Sequence, residues 1–432
     1  MAGNDQVEAS RMARVAVPPY LPRLADNVLA HNVAAFPAVL VVGPRACGKT
    51  TSAARLAASV TRLDEPRTAT LFRADPDQAV ASRQEPALLD EWQAVPEILG
   101  AVKRAVDRDH RGARFVLTGS VIGDLDGASW PGTGRLIRMP LRPLAEIERT
   151  GAIATRPSVR DLLRGVVRLP ADRPAIIDYV DLALRSGFPE AMRLDDALDR
   201  QVWLDGYVEQ LVTRDVERVE PRRDRRRLRR YLQAWALNSA GIVDDTTIYT
   251  AVGIDRRTHL AYERLLEATF VADVVPAWTS NRLKRLALAP KRYIVDAGLM
   301  AAAAQLTRDD ILGNGDLLGR LLDTFVHAQI RALLSGERTR ATVAHLRTAG
   351  GRQEVESARR VRRRCGRGHR DQGDVSAGSR RCAASLVDAR RPRIEVRRWC
   401  GVPHGSRAVH ARRWHRRDAD LRAVGRRHNL SE

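Results

Sequence analysis

The chain has 432 residues, 44% of them hydrophobic, with a formal net charge of +21. That length supports roughly two to four domains with their own cores, and no apolar run approaches the roughly 20 residues of a membrane span. Met1 to Arg14 carries charge but no apolar signal core, and four cysteines make no disulfide framework, so the expected location is cytoplasmic, with no membrane partner. The charge invites a nucleic-acid reading, yet Glu356 to Glu432 holds 22 Arg against 8 Asp or Glu, a net of +14 that leaves +7 for the rest. Lysine occurs only at Lys49, Lys103, Lys284 and Lys291, so part of the arginine content reflects GC-rich coding.

Residues 1–19 read as a flexible N-terminus. After Tyr20-Leu21-Pro22-Arg23, the stretch Leu24 to Phe36 is amphipathic and predicts a helix. An apolar strand, Ala38 to Val42, then leads into Gly43-Pro44-Arg45-Ala46-Cys47-Gly48-Lys49-Thr50, and a helix-prone run follows from Thr51 to Ser59. Strand, G-x-x-x-x-G-K-T and helix is the setting of a phosphate-binding loop. Gly43 and Gly48 let backbone N–H groups turn inward around phosphates, and the helix N-terminus faces the same anion. Lys49 is the expected ligand of the β- and γ-phosphates of ATP, Thr50 a ligand of Mg²⁺, and Thr51 lies beside them.

Val60 to Asp64 predicts a second strand. Ala87-Leu88-Leu89-Asp90-Glu91 predicts a third, ending in two carboxylates about 40 residues after the glycine loop. At that place Asp90 would hold the metal through water and Glu91 would act as general base. Gln93 either helps place the attacking water or is solvated. Val95 to Arg108 predicts a helix, and Arg114 to Ser120 a buried strand whose Thr118 and Ser120 are candidate γ-phosphate sensors. Arg135, before a short strand from Leu136 to Met139, is a candidate charge-neutralising finger; a surface arginine is the other reading. Acting between subunits, it would require a homo-oligomer.

The order GPRxxGKTT, LLDEWQ, LTGS, GR and Pro143-Leu144-Ala145-Glu146 resembles the prokaryotic AAA-type ATPases, in particular those with a C-terminal domain of unknown function. Gly187-Phe188-Pro189-Glu190 resembles their GGFPE signature, with Ser186 in place of the first Gly. Tyr207 with Arg214-Asp215-Val216, Lys291-Arg292-Tyr293 with Asp296-Ala297-Gly298-Leu299, Leu322 to Val326, and His345 to Thr348 resemble later blocks, so the likeness runs from about Tyr20 to Val355.

Ser158 to Glu220 reads as helical. Arg222 to Arg230 is an arginine run, either a solvated face or a DNA contact. Helices on either side of Gly253-Ile254-Asp255 suit a helix-turn-helix, and the resemblance implies a winged-helix-like module. Arg256, Arg257 and His259 would stand near the start of its second helix, touching nucleic acid or packing. Trp278, Asn281 and Arg282 would form a hairpin tip.

The resemblance also implies a restriction-endonuclease-like C-terminal domain, which needs a carboxylate and an acid-x-Lys pair. Here Ser-Ala-Arg-Arg follows Glu356, and no Lys occurs after Lys291. Residues 356–432 hold three of the four cysteines and five of the ten histidines without sustained periodicity. They read as a disordered basic arm or as a shifted reading frame. Gly366 to Gly373 can be encoded GGG CGT GGC CAT CGA GAT CAA GGC, and one base further on the same DNA reads Gly-Val-Ala-Ile-Glu-Ile-Lys, the missing strand. On that reading the tail cysteines and histidines are not metal ligands.

The expected fold is therefore α/β: a P-loop NTPase parallel sheet, then a helical and winged-helix-like module, then an incomplete α/β nuclease-like domain. The expected divisions are 20–155 for the ATPase core, 156–220 for a helical segment, 221–285 for the winged-helix-like module, 286–355 for the start of the nuclease-like domain, and 356–432 for the tail. The expected activity is Mg-dependent ATP hydrolysis directed at a nucleic acid or a protein; the alternative is a nucleotide-gated switch with slow or no turnover.

Overall fold

The structure, a computed structural model, describes residues 19–119, 134–155, 174–215, 224–278, 288–338, 341–347 and 354–361. The strands β1 (Ala38–Val42), β2 (Ser59–Arg62), β3 (Ala87–Asp90), β4 (Phe115–Gly119) and β5 (Leu136–Pro140) form one sheet in the order β2-β3-β4-β1-β5, every neighbouring pair parallel. Parallel strands are buried on both faces, and β1 shows it. Val39 and Val41 belong to one core, Ala38, Leu40 and Val42 to another. The second core is closed by α3 (Pro66–Ala74), α4 (Pro76–Ala81) and α5 (Ile98–Arg108), through Phe72, Val80 and Val102.

The first core is larger. It takes Leu29 and Val33 of α1 (Asp26–Ala35) and Ala53 of α2 (Lys49–Ala54). It then continues without a break into α7 (Ile176–Leu184), α8 (Pro189–Arg193), α9 (Ala197–Gln210), α10 (Arg225–Leu237), α11 (Asp245–Val252), α12 (Arg256–Ala268) and α13 (Ala297–Ala304). A short α6 (Glu146–Arg149) follows β5. The helix expected from Thr51 to Ser59 is shorter and starts earlier, at Lys49; the chain turns at Leu56 and Ala57, which hydrogen-bond Ala53 and Ala54.

Downstream, α10, α11 and α12 lead into an antiparallel pair, β6 (Ala272–Val275) and β7 (Lys291–Ile294), and Gly241 adds one antiparallel bridge to Arg292. Asp255 caps α12 by accepting from Thr258 N at 3.0 Å, and Gly253 ends α11 at φ 73. Then come α14 (Arg308–Gly313), α15 (Gly315–Ser335) and the antiparallel pair β8 (Ala341–Arg347) and β9 (Glu354–Val361). The expected helical stretch from Ser158 is described only from α7 onward and stops at Asp215. Asn281 and Arg282 of the expected hairpin tip lie outside the described residues, as do Arg222, Arg223 and everything beyond Val361. Among the described residues no helix is long and apolar enough to cross a membrane.

Candidate functional site

Two glycines shape the loop between β1 and α2. A Cβ on Gly43 would lie 2.2 Å from the Leu141 carbonyl oxygen, and Gly48 takes φ 92, the left-handed region. Ala46 shares that region at φ 57. Lys49 is buried, and its Nζ donates to the carbonyls of Gly43 at 3.0 Å and Pro44 at 2.8 Å. Thr50 is half-buried and Thr51 exposed at the start of α2.

Two other carbonyls of the loop are held from outside it. Arg23 Nη1 donates to Cys47 O at 2.9 Å, and Tyr207 Oη donates to Arg45 O at 3.3 Å. A peptide C=O and the next N–H point in opposite directions across a planar unit. Anchoring Arg45 O and Cys47 O outward therefore aims the N–H groups of Ala46 and Gly48 the other way, towards the hollow of the loop. Arg23 is itself fixed: its Nε donates to Glu148 Oε1 at 3.3 Å and its Nη2 to Arg142 O. Glu148 also accepts from Leu24 N and Ala145 N, each at 2.6 Å. Cys47 is wholly buried, its thiol 3.6 Å from Leu141 O.

The acidic end of β3 comes to the same place. Asp90 is buried, and its Oδ1 accepts from Thr50 Oγ1 at 2.7 Å and from Thr118 Oγ1 of β4. The strand ends at Asp90, one residue earlier than expected. Glu91 turns out of it into the left-handed region at φ 53, a strained conformation for a residue with a side chain. Burial pushes the Glu91 carboxyl above its ordinary value, and Asp90 adds to the rise; the positive charges of Lys49 and Arg45 and a hydrogen bond from Gln93 oppose it. Gln93 Nε2 donates to Glu91 Oε2, so this amide orients the carboxylate directly.

Thus Gly43 to Thr50, Asp90, Glu91, Gln93 and Thr118 converge. Arg135 does not join them. It precedes Leu136, which pairs with Ala38 at the start of β1, whereas the loop follows the end of β1. A five-residue strand, roughly 17 Å, separates the two, and Arg135 pairs instead with Asp107 of α5. Ser120 lies outside the described residues. Of the residues expected near the start of α12, Arg256 and Arg257 are exposed. His259 is wholly buried, with Nδ1 3.0 Å from Tyr231 Oη; one turn into α12 it faces α10, so it packs and is not open to nucleic acid.

A hydroxyl and a carboxylate 2.7 Å apart at a helix N-terminus are the hard oxygen donors that Mg²⁺ takes, so Thr50 and Asp90 fit that ion. The two glycines keep the loop free of side chains where phosphate oxygens would meet N–H groups. Sequence reading missed Arg23, Glu148 and the carbonyl contact of Tyr207. Arg23 and Glu148 meet across 125 residues and Tyr207 reaches Arg45 across 162, so no local pattern marks them.

Residues 35–149 match the profile of a family described as a AAA domain, and residues 176–310 match a domain of unknown function, DUF8612. The first match supports an AAA-type, ATPase-like nucleotide-binding reading of residues 35–149. Two relatives, uncharacterized proteins Mb2031c of Mycobacterium bovis and Rv2008c of Mycobacterium tuberculosis, are each 29% identical over 340 residues, covering 77% of this chain and 71% of theirs. Among solved structures, the Walker-type ATPase PABY2304 of Pyrococcus abyssi aligns at 15% identity and TM-score 0.41, over 67% of this chain and 99% of that one. Cdc6p of Pyrobaculum aerophilum aligns at 12% and 0.25, over 72% and 96%.

Proposed function

We propose, from an AAA-type domain at residues 35–149, that the chain is a Mg²⁺-dependent ATPase whose turnover drives work on a nucleic-acid or protein target. The observation that carries this is the meeting of Lys49, Thr50, Asp90 and Glu91 at one end of the sheet. In this reading Lys49 leaves the loop carbonyls for the β- and γ-phosphate oxygens, and the N–H groups of the loop from Ala46 onward hold the rest. Mg²⁺, when bound, would supply positive charge at those oxygens. Thr50 and Asp90 would hold it, with Thr118 fixing the carboxylate. Glu91 accepts the proton of the attacking water, and its raised affinity for protons suits a base working near neutrality. Ser120 keeps its expected sensor role. Arg135 serves only a neighbouring copy in a homo-oligomer, because its own loop is a strand's length away.

For the rest of the chain we hold to the divisions expected from sequence. The order α10, bridge at Gly241, α11, α12, β6, β7 supports a winged-helix-like module, and exposed Arg256 and Arg257 favour a nucleic-acid target for it. The nuclease-like domain is incomplete and carries no acid-x-Lys pair, so cleavage is not assigned to this chain. The shifted-frame reading of 356–432 is tested by the coding DNA across codons 350 to 380: an open alternative frame with an Ile-Glu-Ile-Lys strand supports it, and closed alternatives remove it. The cytoplasm remains the expected location.

The activity is tested by binding a fluorescent ATP analogue and by phosphate release. Lys49→Ala should abolish binding, and Glu91→Gln should keep binding while turnover falls about a hundredfold or more. Unchanged affinity in the first variant removes the assignment. Equal turnover in the second removes Glu91 as base. A parent chain that binds ATP stably and turns it over slowly, with or without DNA, favours the nucleotide-gated switch.

A further inference from the structure

One groove outside the glycine loop is lined by cations. It lies between α9, α10 and the end of α13 and encloses about 280 Å³. Arg226, Arg229 and Arg230 line it together with Gln233 and Gln305, over a floor that includes Val208. The arginines are held on a rigid element. The other stripe of α10, through Leu228, Tyr231, Leu232 and Trp235, is buried in the main core. Asp224 caps the helix, accepting from Arg226 N at 2.9 Å.

The local charge balance favours an anion. Glu209 of α9 takes Arg229, which Asp205 of the same helix also attracts, and Asp224 takes Arg227, while Arg226 and Arg230 are exposed and meet no carboxylate among the described residues. Arg226, Arg230 and Gln233 stand at i, i+4 and i+7 on one stripe. Four residues of helix advance about 6 Å. The duplex backbone presents one negative charge per roughly 1.7 Å of its axis, so phosphates are dense enough for both guanidinium groups to meet one. The amides of Gln233 and Gln305, joined at 3.1 Å, add hydrogen-bonding groups suited to phosphate and sugar oxygens.

We infer that this groove binds the phosphate backbone of duplex DNA, with Arg226 and Arg230 each neutralising one phosphate and Arg229 joining when it releases Glu209. The inference deepens the nucleic-acid arm of the function above and does not depend on ATP turnover. One helix serves both places: on α9, Val208 lines the groove and Tyr207 holds the Arg45 carbonyl.

The test is fluorescence anisotropy of a labelled 20-base-pair duplex with the full chain, from about 50 to 300 mM salt. The arginine-rich tail adds the same contribution to parent and variant, so the difference reports the groove. In Arg226→Ala/Arg230→Ala the slope of log K against log salt should fall by about 1.8, two phosphate contacts at about 0.9 each. Arg226→Lys/Arg230→Lys should restore it. ATP-analogue binding on the same preparations should be unchanged, which shows that the chain is folded and keeps the groove separable from the ATPase reading. An unchanged slope and affinity with intact ATP binding overturns the inference. So does an equal loss of affinity for polyglutamate, which would assign the groove to an acidic protein. Should the alanine pair fail to fold, Arg226→Gln/Arg230→Gln carries the same expectation.

Discussion

Glu91 is held in a left-handed turn, in a buried place, with its neighbour Gln93 donating to it. Burial and Asp90 pull its proton affinity upward, Lys49, Arg45 and the Gln93 bond pull it downward, and the rise wins. A base must be deprotonated to work. The acidic limb of the pH profile for ATP turnover should therefore lie above the ordinary glutamate value of about 4.3. Gln93→Leu removes a bond that favours the charged form and should move the limb higher still. A limb that stays in place in that variant would show that Glu91 is not the titrating group. Arg23 is a second residue whose part is decided by what it holds. Arg23→Ala leaves Glu148 buried beside two N–H donors without its cation, at a cost of about 3 kcal/mol. It also frees the Cys47 carbonyl, so ATP affinity should drop about tenfold in the molecules that remain folded. Lysine cannot span three acceptors as a guanidinium does, and Arg23→Lys should recover only part of both losses. Urea unfolding together with ATP-analogue binding reads the two effects apart.

At the scale of elements, the glycine loop was legible because its chemistry is local: two glycines, a lysine and a threonine within eight residues. The β3 acids were legible because a strand carries them to the same edge of a parallel sheet. What holds the loop was not, since Arg23 and Tyr207 arrive from before α1 and from α9. The short blocks that looked like signatures turn out to be joints between elements. Gly187 N donates to Asp296 Oδ2 at 2.7 Å, Asp296 caps α13 by accepting from Leu299 N at 2.9 Å, and Leu144 N donates to Gly187 O at 2.7 Å. Ser186, standing where the resembled signature has Gly, takes φ 67, which explains the glycine preference there. Gly298 sits inside α13, where alanine would ordinarily favour the helix by about 1 kcal/mol. A Cβ there would meet Ser186 Cβ at 2.8 Å and Leu184 O at 3.1 Å. Gly298→Ala should thus destabilise by about 1–3 kcal/mol, against its helix propensity. Thermal unfolding decides it: a raised midpoint would mean that the α7–α8 turn yields at little cost.

Across the whole molecule, β5 and the downstream elements are joined by a buried polar cluster as well as by the shared apolar core. Asp273 of β6 accepts from Arg331 Nε at 2.7 Å and from His327 Nε2 at 3.1 Å, and Arg142, just beyond β5, lies 3.3 Å away. His327 stacks on Tyr293 of β7 with ring centroids 3.8 Å apart. Burial alone would raise the Asp273 carboxyl, but Arg142, His327 and Arg331 together hold it well below the ordinary range. Burial lowers His327, outweighing the pull of Asp273, so it stays neutral and donates. Both shifts make stability fall with acid, in different windows. Below about pH 6.5 the unfolded chain binds a proton at His327 that the folded chain refuses, so stability begins to decline there. The contribution of Asp273 is whole above its unfolded value of about 3.9 and is lost as pH falls below that, towards the depressed folded value. Asp273→Asn strands two largely buried guanidinium groups and should cost about 3 kcal/mol at pH 7. Measured by urea unfolding at a series of pH values, the gap between parent and variant should hold down to about pH 4 and narrow below it. A gap that stays constant through the acid range would mean that the carboxylate charge contributes nothing. The cluster would then join the two parts of the chain by shape and hydrogen bonding only.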